Sequence, residues 1–205
     1  IFQDCNNLTE VNIGSGVKLL PSYFAYGLNI TVIQFPNWLE KISEYAFYNC
    51  TSLKSINIPE TVTSIEENAF KECTSLINVT ILNGTKSIGD WSFYGCSSLT
   101  SIVIPESVKN IGKCCFSHCP NLETIYYNAK DASDSNFYNS ERNIYNPPFY
   151  GCGRTIIIGN NVEVLPRRIF TKSLITSIEI PNSVTSIDNQ AFINCDNLTT
   201  ITVKK

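Results

Sequence analysis

Nine cysteines and a single histidine carry most of the potential chemistry of this 205-residue chain. A thiol beside an imidazole can act as a nucleophile with its base, cysteines a few residues apart can hold zinc, and cysteines in a secreted protein can pair as disulfides. Spacing argues against all three. Cys5, Cys50, Cys73, Cys96, Cys119, Cys152 and Cys195 fall at one position of a long repeat, far wider than the short intervals of a zinc site. His118 adjoins Cys119 and lies near Cys115, but no repeated Ser or Asp completes a triad, and the repeat already accounts for both cysteines. No glycine-rich phosphate loop and no paired-carboxylate pocket occur. The expectation is therefore no catalytic residue, no metal ligand and no cofactor. Thiols stacked in one column rarely reach disulfide geometry, so they are expected to be free, buried and hydrophobic in character. The odd total leaves at least one unpaired within the chain. Cys115 replaces an inward alanine, and Cys114 is expected to point outward.

The interval behind those cysteines is a frame, Leu-x-x-Ile-x-Ile-Pro-x-x-Val-x-x-Ile-x-x-x-Ala-Phe-x-x-Cys. Its clearest copy runs from Leu53 through Ile56, Ile58, Pro59, Val62, Ile65, Ala69 and Phe70 to Cys73. Copies with the same spacing start at Ile30, Leu76, Leu99 and Ile175. A constant period of this length marks a solenoid, because a single unit cannot bury its apolar face without stacking on a neighbour. Within a unit, Ile-x-Ile alternates like a strand and is β-branched, and Pro36, Pro59, Pro105 and Pro181 then end it for want of a backbone N–H. Val-x-x-Ile returns along a second short extended segment. Ala-Phe-x-x-Cys has the spacing of one helical turn. About nine stacked strands at roughly 4.8 Å each would form a parallel sheet on the order of 40 Å long. Phe24, Phe47, Phe70, Phe93, Phe116, Phe149, Phe170 and Phe192 would form an aromatic spine.

These units closely resemble the BspA-type leucine-rich repeat, over nearly all of residues 1–205. The resemblance implies an elongated right-handed solenoid with its parallel sheet on the concave face, and short extended segments and helical turns on the other sides. It also implies an extracellular or cell-surface setting and adhesion to protein or glycan on a host or matrix surface, without catalysis or cofactor. Residues 1–205 read as a single array. The first residues already match the end of a unit and Leu198, Ile201 and Val203 open another, which reads as a segment of a longer protein. Uncapped ends also suggest the alternative of a structural, self-assembling solenoid forming a fibre or surface layer.

Departures from the frame are the best guide to function, since an array needs none of them to fold. The first unit reads as one residue short between Leu20 and Phe24, with Gly27 in place of Cys. The unit from Leu122 carries about ten extra residues within 128–143, a polar inserted loop that also holds Phe137 and Tyr138. The next unit is shortened around Gly153, with Gly159 for Pro and Ser173 for Cys. Outward strand positions read Asn12, Gln34, Asn57, Thr80, Val103, Tyr126, Ile157, Glu179 and Thr202. The consecutive apolar residues Val103, Tyr126 and Ile157 form a cluster within polar surroundings, which is how a partner site looks. With Phe137 and Tyr138 they are the expected partner-binding residues.

Asn-x-Thr sequons occur at Asn7, Asn29, Asn49, Asn78, Asn83 and Asn197. Composition alone nearly explains them, and Asn29 and Asn83 are the plausible glycan acceptors. The chain is 43% hydrophobic and 16% charged with a net charge of −3, and no apolar run approaches a membrane span. Its basic residues are scattered, so neither nucleic acid nor direct membrane insertion is expected.

Overall fold

The structure is a computed structural model that describes residues 1–2, 5, 7–133, 138–139 and 144–204. Nine parallel strands follow one another up one side: Glu10–Val11, Val32–Ile33, Ser55–Ile58, Asn78–Ile81, Ser101–Ile104, Thr124–Tyr127, Thr155–Ile158, Ser177–Ile180 and Thr200–Val203. The alternation seen in the sequence sets their faces. In Ser55–Ile58 the pattern is exposed, buried, exposed, buried, and the same holds for Asn78–Ile81, Ser101–Ile104 and Thr155–Ile158. Register repeats it, with Ile56 opposite Val79, Ile102 opposite Ile125 and Ile125 opposite Ile156. These strands bound eight complete turns, one fewer than the nine coils expected, because Thr200–Val203 only opens a further coil.

After each proline corner the chain runs back along a second side. Leu19–Leu20, Lys41–Ile42, Ser64–Ile65, Ser87–Ile88 and Asn110–Ile111 form a parallel five-stranded sheet there, and Val164–Leu165 pairs with Ser186–Ile187 farther up. The inward residues Leu20, Ile42, Ile65, Ile88, Ile111 and Leu165 are buried, whereas Ile187 in the last of these short strands is exposed.

The third side corrects the expectation of helical turns, because no helix occurs among the described residues. Ala46, Tyr48 and Cys50 donate their N–H to carbonyls three residues back, whereas Tyr45, Phe47 and Asn49 donate to Glu67, Ala69 and Lys71 of the next coil. Two residues per coil, four apart, sit in the left-handed region, for example Tyr45 and Asn49, Asn68 and Glu72, or Arg168 and Lys172. A helix cannot propagate through such residues, so the segment becomes successive turns whose spare N–H groups tie coil to coil.

The phenylalanine spine runs through the centre. Phe47, Phe70, Phe93, Phe116 and Phe149 stack with centroids 5.1–5.3 Å apart and planes within 6° of parallel. Phe24 breaks the pattern, meeting Phe47 edge-on at 66°. Here the sequence register needs correction. Leu20 pairs with Ile42, and Ala25 donates to Ala46 as Phe47 donates to Ala69. Ala25 therefore stands in the Phe position and Phe24 in the Ala position. Buried Leu28, not Gly27, fills the cysteine position, and Gly27 takes the left-handed one with φ of 68°. The missing residue lies between Leu28 and Ile30, since Cys50 and Leu53 are one residue farther apart.

Candidate functional site

The strand face brings Val103, Tyr126 and Ile157 into one row. Tyr126 lies directly opposite both of the others in the parallel ladder, and the three are 43%, 40% and 44% exposed. Their inward neighbours hold them out: Ile102, Ile104, Ile125, Tyr127, Ile156 and Ile158 are all buried, and pleating sends the residue between each pair to the other face. Thr80 continues the row on one side and Glu179 on the other, both exposed. A parallel column of residues that precedes it, Ser101, Thr124, Thr155 and Ser177, is entirely hydroxylic. The face thus offers a short apolar strip beside hydroxyl groups, suited to apolar contact edged by hydrogen bonds.

The inserted loop leaves the coil elsewhere. Residues 128–133 still follow the core, with Ala129 and Ala132 buried and Ser133 donating its N–H to Lys109. The coil resumes at Asn146, whose carbonyl accepts from Cys114. The extra residues therefore fall between Ser133 and Asn146, on the second side, where Asn110–Ile111 occupies the coil before. There Tyr138–Asn139 pairs antiparallel with Ile144–Tyr145 as a hairpin. The structure places Tyr138 in that hairpin, on a different side of the coil from Tyr126, while Phe137 lies outside the described residues.

Asn29 and Asn83 are both exposed. The hydroxyl of the second sequon is committed to the fold, because Thr85 is buried and donates to the Val62 carbonyl at 3.0 Å.

Seven of the nine cysteines line the interior, whereas Cys5, expected in the buried column, is exposed and Cys114 is half-buried. Cys73, Cys96 and Cys119 donate their S–H to the carbonyls of Phe47, Phe70 and Phe93 at 3.2–3.3 Å, each reaching back one coil. Cys195 does the same to Phe170, and Cys50 to Ala25, both at 3.0 Å. All nine are unpaired as disulfides. Burial pushes the thiols of Cys50 and Cys119 up to about 12, which suppresses the thiolate. Cys119 points inward while His118 is exposed with its ring on Tyr94, centroids 4.7 Å apart, so the two side chains face opposite ways. Among the described residues no group of three or more His, Cys, Asp or Glu could hold a metal ion.

One surface escaped the sequence reading. On the turn side, Tyr23 stacks on Tyr45 with centroids 5.0 Å apart, and Tyr26 on Tyr48 at 4.9 Å. Lys71 of the next coil places its ammonium 5.9 Å from the Tyr48 ring and 5.0 Å from that of Tyr94. The signal was Tyr-x-x-Tyr repeated one coil apart at 23–26 and 45–48. It is hidden in a frame that specifies only the inward residues.

A family model described as BspA type leucine rich repeat region matches in six copies, over residues 1–60, 18–144 and 124–205. Among solved structures, a leucine-rich cell surface protein of Faecalibacterium prausnitzii is 31% identical, with a TM-score of 0.56 over 95% of this chain and 49% of its own. The chain thus spans about half the length of that protein. The leucine-rich repeat protein of T. pallidum is 24% identical, with a TM-score of 0.60, covering 94% of this chain and 72% of its own. The pneumococcal vaccine antigen PcpA is 20% identical, with a TM-score of 0.55, covering 92% of this chain and 44% of its own. The last two likenesses concern the fold. No curated protein matches the chain.

Proposed function

The chain belongs to the BspA-type leucine-rich repeat family, and we propose that it is a non-catalytic interaction module of a surface-displayed or secreted protein, adhering to protein or glycan on a host or matrix surface. The observation that carries this reading is the in-register exposure of Val103, Tyr126 and Ile157, flanked in their row by polar Thr80 and Glu179. Three adjacent apolar side chains kept in water by the fold cost free energy that a bound partner would recover. The cell-surface description of the Faecalibacterium relative supports the setting. The inserted segment, with Tyr138 in its antiparallel pair, would supply a second contact for a partner large enough to reach round the corner of the coil.

The test is binding of labelled protein to immobilised extracellular matrix and to intact cells. Tyr126→Asp with Ile157→Asp should lower binding at least about tenfold, as loss of a central apolar anchor does at protein interfaces. Both side chains are exposed, so thermal unfolding should be unchanged. Undiminished binding by the folded double variant overturns the site. Light scattering on the same pair examines the alternative of self-association: a wild-type assembly that dissociates in the variant would make the strip a contact between copies of the chain.

A further inference from the structure

The turn side carries a ladder of rings and cations, interrupted at buried Ser117 and again at buried Thr171. Tyr26 stacks on Tyr48, Lys71 bridges the Tyr48 and Tyr94 rings, and His118 packs on Tyr94 at 4.7 Å. Beyond the gap, Lys172 sits 5.3 Å from the Tyr150 ring. The residue between Tyr94 and Tyr150 in this column is Ser117, which is buried and donates its hydroxyl to the Pro147 carbonyl, so it sends no ring or cation outward. At this point the surface opens into a groove of about 570 Å³, lined by Glu72, Tyr94, Gly95, His118, Tyr150 and Gly151 among others.

Two features show what the groove prefers. Gly95 has φ of 72°, and a Cβ there would lie 2.7 Å from the Glu72 carboxylate, so the carboxylate occupies the space a side chain would take. Glu72 is half-buried, no described residue donates to its carboxylate or pairs with it, and it alone is acidic among the described residues lining the groove. A half-buried carboxylate without a partner, beside aromatic rings, attracts a cation. The nearby lysines do not neutralise it, because Lys71 and Lys172 lie over tyrosine rings. Those same lysines show that the ladder accepts cations as rungs.

We propose that the groove binds the guanidinium of an arginine side chain presented by a partner protein, stacked between the His118 and Tyr150 rings with Glu72 as its counter-ion. A guanidinium is flat, stacks on aromatic faces and matches a carboxylate through paired N–H groups, whereas an ammonium offers only a point charge. This site lies on the turn side and does not depend on the strand-face reading.

The probe is the capped tripeptide Gly-Arg-Gly, titrated into the isotope-labelled chain while the aromatic resonances of His118 and Tyr150 are followed. Saturable shifts centred on those rings are expected. The neutral isostere Gly-citrulline-Gly and the ammonium peptide Gly-Lys-Gly should each bind at least about tenfold more weakly, consistent with the loss of a partly desolvated charge or of a planar fork. Glu72→Gln and Tyr150→Leu should weaken Gly-Arg-Gly by a similar factor, Tyr150→Leu preserving apolar contact in case a smaller residue disturbs folding. Tyr126→Asp should bind Gly-Arg-Gly as the parent does. Equal shifts from the three peptides, shifts scattered over the surface, or unchanged affinity in folded Glu72→Gln would each overturn the proposal.

Discussion

An inward thiol in this solenoid has its single proton engaged with a backbone carbonyl of the preceding coil, as Cys73 has with Phe47 and Cys96 with Phe70. It is held in the neutral form by its surroundings. For Cys50 and Cys119 burial raises the thiol from 9.0 to about 12, and Cys73, Cys96, Cys115 and Cys152 shift in the same direction. The folded pKa lies above the unfolded one, so the stability tied to these thiols is complete below pH 9 and declines as pH rises towards 12. Each contributes a slope of at most about 1.4 kcal/mol per pH unit in that window, because the unfolded chain ionises first. Reduced protein should therefore lose thermal stability between pH 9 and 11, with the steepness reduced in Cys96→Ala relative to its own value at pH 7. Calorimetry under reductant reads this, and parallel pH profiles for the two proteins would refute it. At neutral pH a thiol reagent should modify Cys5 and Cys114 first, since the other seven are buried.

The strand of each coil was legible because Ile-x-Ile alternation and the following proline leave one orientation that buries β-branched residues, as in Ile56, Ile58 and Pro59. The turn segment was legible only for its inward residues. Ala69, Phe70 and Cys73 have the same spacing in a helical turn as in consecutive turns, and the discriminating residues Asn68 and Glu72 carry no glycine signal although their φ values are 56° and 61°. Gly27 misled in the opposite sense, its left-handed φ being mistaken for a lost cysteine. The outward tyrosines were invisible for a related reason, since burial constrains their neighbours and leaves them free. At the start of the inserted segment Asn128 and Lys130 are polar, yet Ala129 and Ala132 still pack on the core. That boundary yields an element-scale prediction. Replacing residues 134–145 by the Ile111-Gly112 pair that follows Asn110 should restore the length of the preceding coil and extend its inward isoleucine column. The melting temperature should fall by no more than a few degrees, within about 1 kcal/mol of the parent. Collapse of the fold in far-UV circular dichroism would instead assign the hairpin a share of the core.

Along the solenoid the core contacts join neighbouring coils, and the exposed hydrogen bond from Asn161 to Glu106 at 2.7 Å reaches two coils away, so stability is transmitted mainly through the shared core. Surface charge adds little. Lys18–Glu40, Lys41–Glu66, Lys109–Asp131, Lys130–Glu163 and Lys204–Glu179 all join adjacent coils, but their side chains are between 28% and 70% exposed. Such exposed pairs contribute little to stability and are screened by salt. The phenylalanine stack is the stronger connector, and its rungs are not equivalent. Phe93 is fully buried between Phe70 and Phe116 at 5.3 Å on both sides, whereas Phe192 is partly exposed and stacks on Phe170 alone among described aromatic contacts. Phe93→Ala should therefore cost about 3–5 kcal/mol, combining lost transfer energy with a cavity between two rings that cannot close on each other. Phe192→Ala should cost distinctly less. Hydrogen exchange should show the difference in range as well as size. In Phe93→Ala protection should drop on both sides of the lesion, at the inter-coil amides of Phe70 and Phe116, whose hydrogen bonds to Ser92 and Pro148 depend on coils staying in contact. In Phe192→Ala the loss should be confined to the coil of Phe170 and beyond, leaving Phe70 protected. Uniform loss of protection in both variants would mean that the array opens as one unit and that neighbour-only coupling is wrong.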